Sequence, residues 1–109
     1  MPAPKRGDLI KLDFDNTRGH EQAGYRRAVV ISPDRYNEVV GLAIVCAITN
    51  QKKGYPFEVD IPDGLTVTGV ILSDQIRTID WEKRNVTVVD HISQECINEV
   101  QEKLSKLLL

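Results

Sequence analysis

The hydrophobic side chains of this chain keep a strand period almost to its end and change to a helical period only after Ser93. That change narrows the fold more than any composition figure. A period of two buries one face of a sheet, and a period of 3.6 buries one stripe of a helix. Asp8 to Phe14 alternates, with Ile10, Leu12 and Phe14 on one face and Lys11 and Asp13 on the other, which predicts a half-buried strand. Arg26 to Ile31 predicts a second strand, ended by Ser32-Pro33. Asp34 to Glu38 has room for one helical turn at most. Leu42 to Ile48 is a continuous apolar run, β-branched in part, and reads as a central strand. Phe57 to Ile61, Val67 to Leu72 and Ile76 to Ile79 predict further strands, with a break at Ser73-Asp74-Gln75 and a short strand over Asn85 to Val89. Ser93 is an N-cap type with Glu95 in the first turn, and Ile97, Val100, Leu104, Leu107 and Leu108 then share one helical face. Short strands followed by one helix predict a mainly β fold, a small twisted antiparallel barrel or curled sheet closed by a C-terminal α-helix. A sheet of this size leaves edges that a partner often covers.

The 109 residues suit a single domain over the whole chain, 1–109, and 41% hydrophobic with 28% charged residues fits a folded globular protein. No apolar run approaches the roughly 20 residues of a membrane helix. Met1-Pro2-Ala3-Pro4-Lys5-Arg6 has no apolar core behind its charges and is not a secretory signal, so the expected location is cytoplasmic, with no membrane partner. Cys46 lies in an apolar run and Cys96 in the helix, without metal-type spacing, and both read as buried thiols. The net charge of −2 argues mildly against nucleic acid, but its distribution points the other way. Residues 1–58 carry nine Lys/Arg against seven Asp/Glu, and residues 59–109 carry five against nine. A local basic patch on an acidic protein suits a short selected strand better than indiscriminate coating of duplex.

Two polar loops interrupt the strands. Asp15 to Gly24 is too long for an ordinary hairpin connection. It brings His20, Glu21, Tyr25, Arg26 and Arg27 close together in sequence, between and beside Gly19 and Gly24. Loops held by a rigid scaffold are where binding and chemistry concentrate. Arg26 and Arg27 are strand neighbours and point to opposite faces, so only one of them can look into a given cleft. The second loop, Thr49 to Pro56, starts where the central strand ends and carries Lys52, Lys53 and Tyr55.

Read in order, Gly7-Asp8-Leu9-Ile10, Asp13-Phe14-Asp15, Gly19 to Arg26, Ala28 to Pro33, Tyr36-Asn37, Lys53 to Val59 and Ser73 to Trp81 resemble the toxins of the MazF/PemK family, from bacterial toxin–antitoxin pairs. The resemblance spans nearly the whole chain. It implies an SH3-like, CcdB-like barrel with a C-terminal helix, assembled as a homodimer. It implies sequence-selective, metal-independent cleavage of single-stranded RNA, without a cofactor, to a 2′,3′-cyclic phosphate and a 5′-hydroxyl. It also implies a cognate, MazE-like antitoxin whose acidic, partly disordered tail lies across the RNA groove. On the family motif the catalytic arginine falls on Arg26, the catalytic threonine on Thr49 and a loop carboxylate on Glu21. Arg27 stands where a proline is common, as does Asn16, while Tyr25 replaces a frequent histidine and Asn50 a frequent Thr or Ser. Arg27 and Asn50 bear on the RNA sequence preferred.

Metal-free RNA cleavage uses the substrate's own 2′-hydroxyl as nucleophile. The protein must align it, take its proton, stabilise the phosphorane-like charge and supply a proton to the leaving oxygen. A guanidinium matches phosphate oxygens with two parallel bonds and holds its own proton, so Arg26 suits charge stabilisation. The plain alternative is a surface arginine paired with Glu21. Thr49 can donate to a phosphate oxygen, or simply bond its own backbone as strand-ending threonines do. Glu21 can accept the 2′-proton or only orient Arg26, and His20 is the next candidate base. Arg18, Lys52, Lys53 and Arg77 are candidates for phosphate contact, Gln75 for reading a base edge and Tyr55 for stacking a splayed base. Asp13 and Asp15 lack a third metal ligand nearby, and Trp81 suits packing or a dimer contact. Two other readings remain beside the nuclease: a non-catalytic poison of DNA gyrase on the same barrel, and an inactive barrel that only binds. The tail Leu104 to Leu109 lacks the tryptophan that marks the gyrase-directed group.

Overall fold

A computed structural model of the chain describes residues 2–14 and 24–109. Six strands, β1 (Asp8–Phe14), β2 (Gly24–Val30), β3 (Ala43–Thr49), β4 (Glu58–Asp60), β5 (Val70–Ile79) and β6 (Thr87–His91), pair antiparallel in the order β4-β5-β3-β2-β1-β6. Two helices complete the described elements, α1 (Asp34–Val40) and α2 (Gln94–Leu108).

Strand alternation builds two cores. Leu9, Val29, Cys46, Ile48, Val59 and Ile71 face Cys96, Ile97, Val100 and Leu104 of α2. On the other face Ile10, Leu12, Ala28, Val30, Val45 and Ile79 close over Trp81 and Val86. β1, β2 and β3 are therefore covered on both sides, which is why β3 reads as an unbroken apolar run rather than an alternation. The sheet curls until its ends meet. Thr66, which follows β4 at one edge, donates from its backbone N–H to Asp90 at 2.8 Å and from its hydroxyl to the Val89 carbonyl at 3.1 Å, on β6 at the other edge. That seam makes the barrel.

Four expectations change. The segment after Pro33 is a seven-residue helix rather than one turn, and it ends at Gly41, whose φ of 81° lets its N–H reach back to the Asn37 carbonyl. Its apolar spacing gave no signal because its anchor is polar. Asn37 is fully buried, donates to the Pro4 carbonyl at 2.8 Å and contacts the Ser32 hydroxyl, while its own carbonyl accepts from the Trp81 indole at 3.0 Å. Trp81 is thus a packing residue. The break at Ser73-Asp74-Gln75 does not separate two strands. Cys46 pairs with Ile76 while Ala47 pairs with Leu72, so β5 runs through with these three residues as a bulge. Thr49 is the last residue of β3, not the first of the loop. Leu107 and Leu108 share the helical stripe but are 41% and 67% exposed, because α2 outruns the sheet it packs on. Ser93 caps α2 as anticipated, accepting from the Cys96 N–H at 3.2 Å. Cys46 and Cys96 are free and buried. Among the described residues no helix is long and apolar enough to cross a membrane.

Candidate active site

Strand register brings the two central candidates together. The β2–β3 ladder runs through Val30–Val45, Val29–Cys46 and Ala28–Ala47. Arg26 and Thr49 each lie two residues beyond that last pair, so in the continuation of the register they oppose one another. Opposed residues of an antiparallel pair point to the same face. It is the face of Ala28, Val30 and Val45, and at this end of the strands it opens to solvent. Arg26 is exposed and Thr49 half-buried. The Thr49 hydroxyl accepts from the Gln51 N–H at 3.1 Å, which fixes its side chain at the strand end and leaves its proton available for donation.

Beside Thr49 lies a cleft of about 140 Å³ lined by Gln51, Lys53, Tyr55, Glu58, Leu72, Asp74 and Gln75. Its walls follow from the sheet. Glu58 on β4 and Leu72 on β5 are a ladder pair, and the β5 bulge turns Asp74 and Gln75 toward the opening. The loop wall is tied down at several points. Glu58 accepts from the Lys53 and Gly54 N–H groups, both at 2.9 Å. Ser73 donates from N–H and hydroxyl to the Phe57 carbonyl, and Lys103 of α2 donates to the Pro56 carbonyl at 2.7 Å. Tyr55, between these anchors, is 55% exposed and offers its ring to the cleft.

The sequence candidates therefore separate. Thr49, Lys53, Tyr55 and Gln75 line one opening, and Arg26 shares the sheet face of Thr49 in the continued register. Arg77, opposite Val45 in the β3–β5 ladder, shares the Arg26 face. Lys52 stands apart from the cleft lining, its ammonium in an exposed pair with Asp60 at 2.9 Å that raises its pKa. Arg18, His20 and Glu21 lie outside the described residues, as does Asp15. His91 is remote from the cleft chemistry, with Nδ1 2.9 Å from Asp8. Among the described residues no group of three His, Cys, Asp or Glu side chains is arranged to hold a metal ion.

Three polar cleft residues escaped the sequence reading. Gln51 and Glu58 look like loop and strand polar residues until β4 pairs with β5. Asp74 was visible only as part of a break in an apolar pattern. It also acts inward: burial, with Asp74 nearby, pushes the Cys46 thiol up to about 12. That thiol lies under the bulge, its Sγ 3.9 Å from the Ser73 carbonyl.

Residues 5–108 match the family described as PemK-like, MazF-like toxins of type II toxin–antitoxin systems. Over 105 residues the chain is 43% identical to the endoribonuclease toxin MazF of Escherichia coli, covering 96% of this chain and 94% of that protein. It is 39% identical over 105 residues to the endoribonuclease EndoA of Bacillus subtilis, covering 92% and 90%. A crystal structure of MazE–MazF from Deinococcus radiodurans superposes with a TM-score of 0.92 at 43% identity, over 97% of this chain and 96% of that one.

Proposed function

The chain belongs to the family of PemK-like, MazF-like toxins of type II toxin–antitoxin systems, and from that membership we propose that it is an endoribonuclease toxin that cuts single-stranded RNA without a metal ion. The observation that carries the reading is the shared face of Arg26 and Thr49 beside an open, polar cleft. The substrate's 2′-hydroxyl attacks the adjacent phosphorus, its proton passes to Glu21, the bond from phosphorus to the 5′-oxygen breaks, and that oxygen takes a proton from solvent water. The products are a 2′,3′-cyclic phosphate and a 5′-hydroxyl. Arg26 binds the non-bridging oxygens and stabilises the charge that grows on them. The Thr49 hydroxyl donates to the same group. Lys53 and Arg77, with Arg18, hold flanking phosphates, Tyr55 stacks a splayed base and Gln75 reads its edge.

The relatives' description as endoribonuclease toxins supports the biological setting. Cleaving messenger RNA in the cytoplasm stops translation and growth. The likeness to a MazE–MazF complex supports a cognate antitoxin; its acidic tail covers the opening and competes with RNA phosphates for the same cations. The toxin acts as a homodimer, and light scattering that returned the 12.3 kDa of one chain would overturn that.

The test is incubation of the purified protein with a long single-stranded RNA in EDTA. Discrete cuts are expected, ending in cyclic phosphate, and Arg26→Ala abolishes them. Intact RNA across diverse templates, together with inhibition of gyrase, would instead favour the gyrase poison.

A further inference from the structure

Two side chains that the proposed reaction does not use meet immediately behind it. Arg27 follows Arg26 on β2 and leaves the strand on the opposite face. Its Nη1 donates to the Thr68 carbonyl at 2.8 Å. The Asn50 amide, oriented so that each contact runs from donor to acceptor, donates to the same carbonyl at 2.9 Å and to the Thr68 hydroxyl at 3.1 Å, and accepts from Arg27 Nη2 at 3.2 Å. The next residue, Gly69, has a φ of 116°. A Cβ there would press into the Thr49 carbonyl oxygen and stand 2.7 Å from the Asn50 amide. Segment 68–69 therefore packs directly on the backbone of Thr49.

The cluster lies where the sheet itself stops holding β2 to β3. Their ladder ends at Ala28–Ala47, two residues short of Arg26 and Thr49 on each strand. The bonds from Arg27 and Asn50 to Thr68 span that gap. A guanidinium suits the task because its planar fork fixes two acceptors at once and loses little freedom per bond formed.

We propose that Arg27 and Asn50 are positioning residues that clamp the ends of β2 and β3 through Thr68 and so set the separation of Arg26 and Thr49. The assignment rests on the endoribonuclease reading above. The clamp works on the face turned away from RNA, so it governs the rate of the cleaved complex and not the affinity for RNA. A misplacement of about 1 Å between groups that must act on one phosphate costs on the order of 10²-fold in rate.

Arg27→Ala, Asn50→Ala and the double variant test it, in single-turnover cleavage of an RNA with one cut site. Affinity is measured separately on the same RNA carrying a 2′-deoxy sugar at that site, and backbone amide exchange is followed over 48–51 and 68–70. Each single variant is expected to lose about 10- to 100-fold in cleavage rate, with the double variant no worse than the poorer single. Affinity stays within about twofold, because neither group touches phosphate. Amide exchange over both segments accelerates, and Arg27→Lys, which keeps one donor for Thr68, recovers part of the rate. Full cleavage rate in Arg27→Ala overturns the clamp, and so does lost affinity with an unchanged rate, which would make Arg27 an RNA contact. If the unaltered protein cuts no RNA, the endoribonuclease reading fails on its own. Amide exchange then decides the clamp, and unchanged protection over 48–51 removes it.

Discussion

Thr49 illustrates how little a residue proposed for the active site need contribute to its own fold. Among the described residues its hydroxyl holds only the nearby Gln51 N–H, at the end of a strand whose backbone is already paired with Val70. Thr49→Ala should therefore leave stability within about 0.5 kcal/mol, as at surface positions generally. It should slow cleavage by about 10²-fold, the usual effect of losing one donor to a developing anion. Thermal melting and single-turnover kinetics check the two halves, and a normal cutting rate would remove Thr49 from the site. Cys46 is the opposite case, a group that is all fold. Its native pKa is raised from 9.0 to about 12, chiefly by burial. Both states are protonated below about pH 9, so its contribution is intact there. Above that the unfolded thiol ionises first, ν_U falls below ν_N, and stability drops as pH rises toward about 12, by at most about 1.4 kcal/mol per unit. The alkaline stability profile of Cys46→Ala, compared with the parent, should lack that component; parallel profiles would refute it. At this scale the sequence was partly legible. Arg26 and Thr49 stood in a recognisable motif, whereas Glu58 and Asp74 owe their place in the cleft to a strand pairing and a bulge that no local pattern encodes.

Elements were more legible than residues wherever burial was one-sided or complete. β1 alternates and β3 is wholly apolar, and both kept nearly their expected bounds, as did α2 with its Ser93 cap. α1 was missed in part because a buried amide, Asn37, anchors it instead of an apolar stripe. β5 reads as two strands because its bulge is polar, with Asp74 and Gln75 facing water and only Ser73 buried. Two glycines now give a controlled comparison. Gly41 and Gly69 both have positive φ, 81° and 116°, but a Cβ at Gly41 meets open space while one at Gly69 meets Thr49 and Asn50. Gly41→Ala should cost about 1 kcal/mol, the left-handed penalty alone. Gly69→Ala should cost about 3 kcal/mol, because backbone must also move. Equal losses in urea unfolding would show that segment 68–69 is not packed against β3 as described.

The molecule as a whole is acidic, so RNA binding must rest on a few well-placed cations rather than on overall charge. Each phosphate neutralised on a single strand contributes about −0.7 to the slope of log K against log salt. Lys53 lines the cleft, whereas Lys52 is occupied by Asp60. Lys53→Ala should reduce the slope by about 0.7, and Lys52→Ala should leave it nearly unchanged. Binding isotherms on uncleavable RNA at several salt concentrations measure both, and equal effects would show that the Asp60 pair does not restrain Lys52. The barrel also separates what must stay constant from what is free to vary. β3 and β5 stay paired on either side of the bulge although their register shifts across it, so the exposed Asp74 and Gln75 are spliced into the wall outside the ladder, while the buried Ser73 ties that wall to Phe57. A lineage carrying this scaffold could exchange or resize that insert and acquire a new taste in RNA sequence, with the cutting machinery across the opening left as it was.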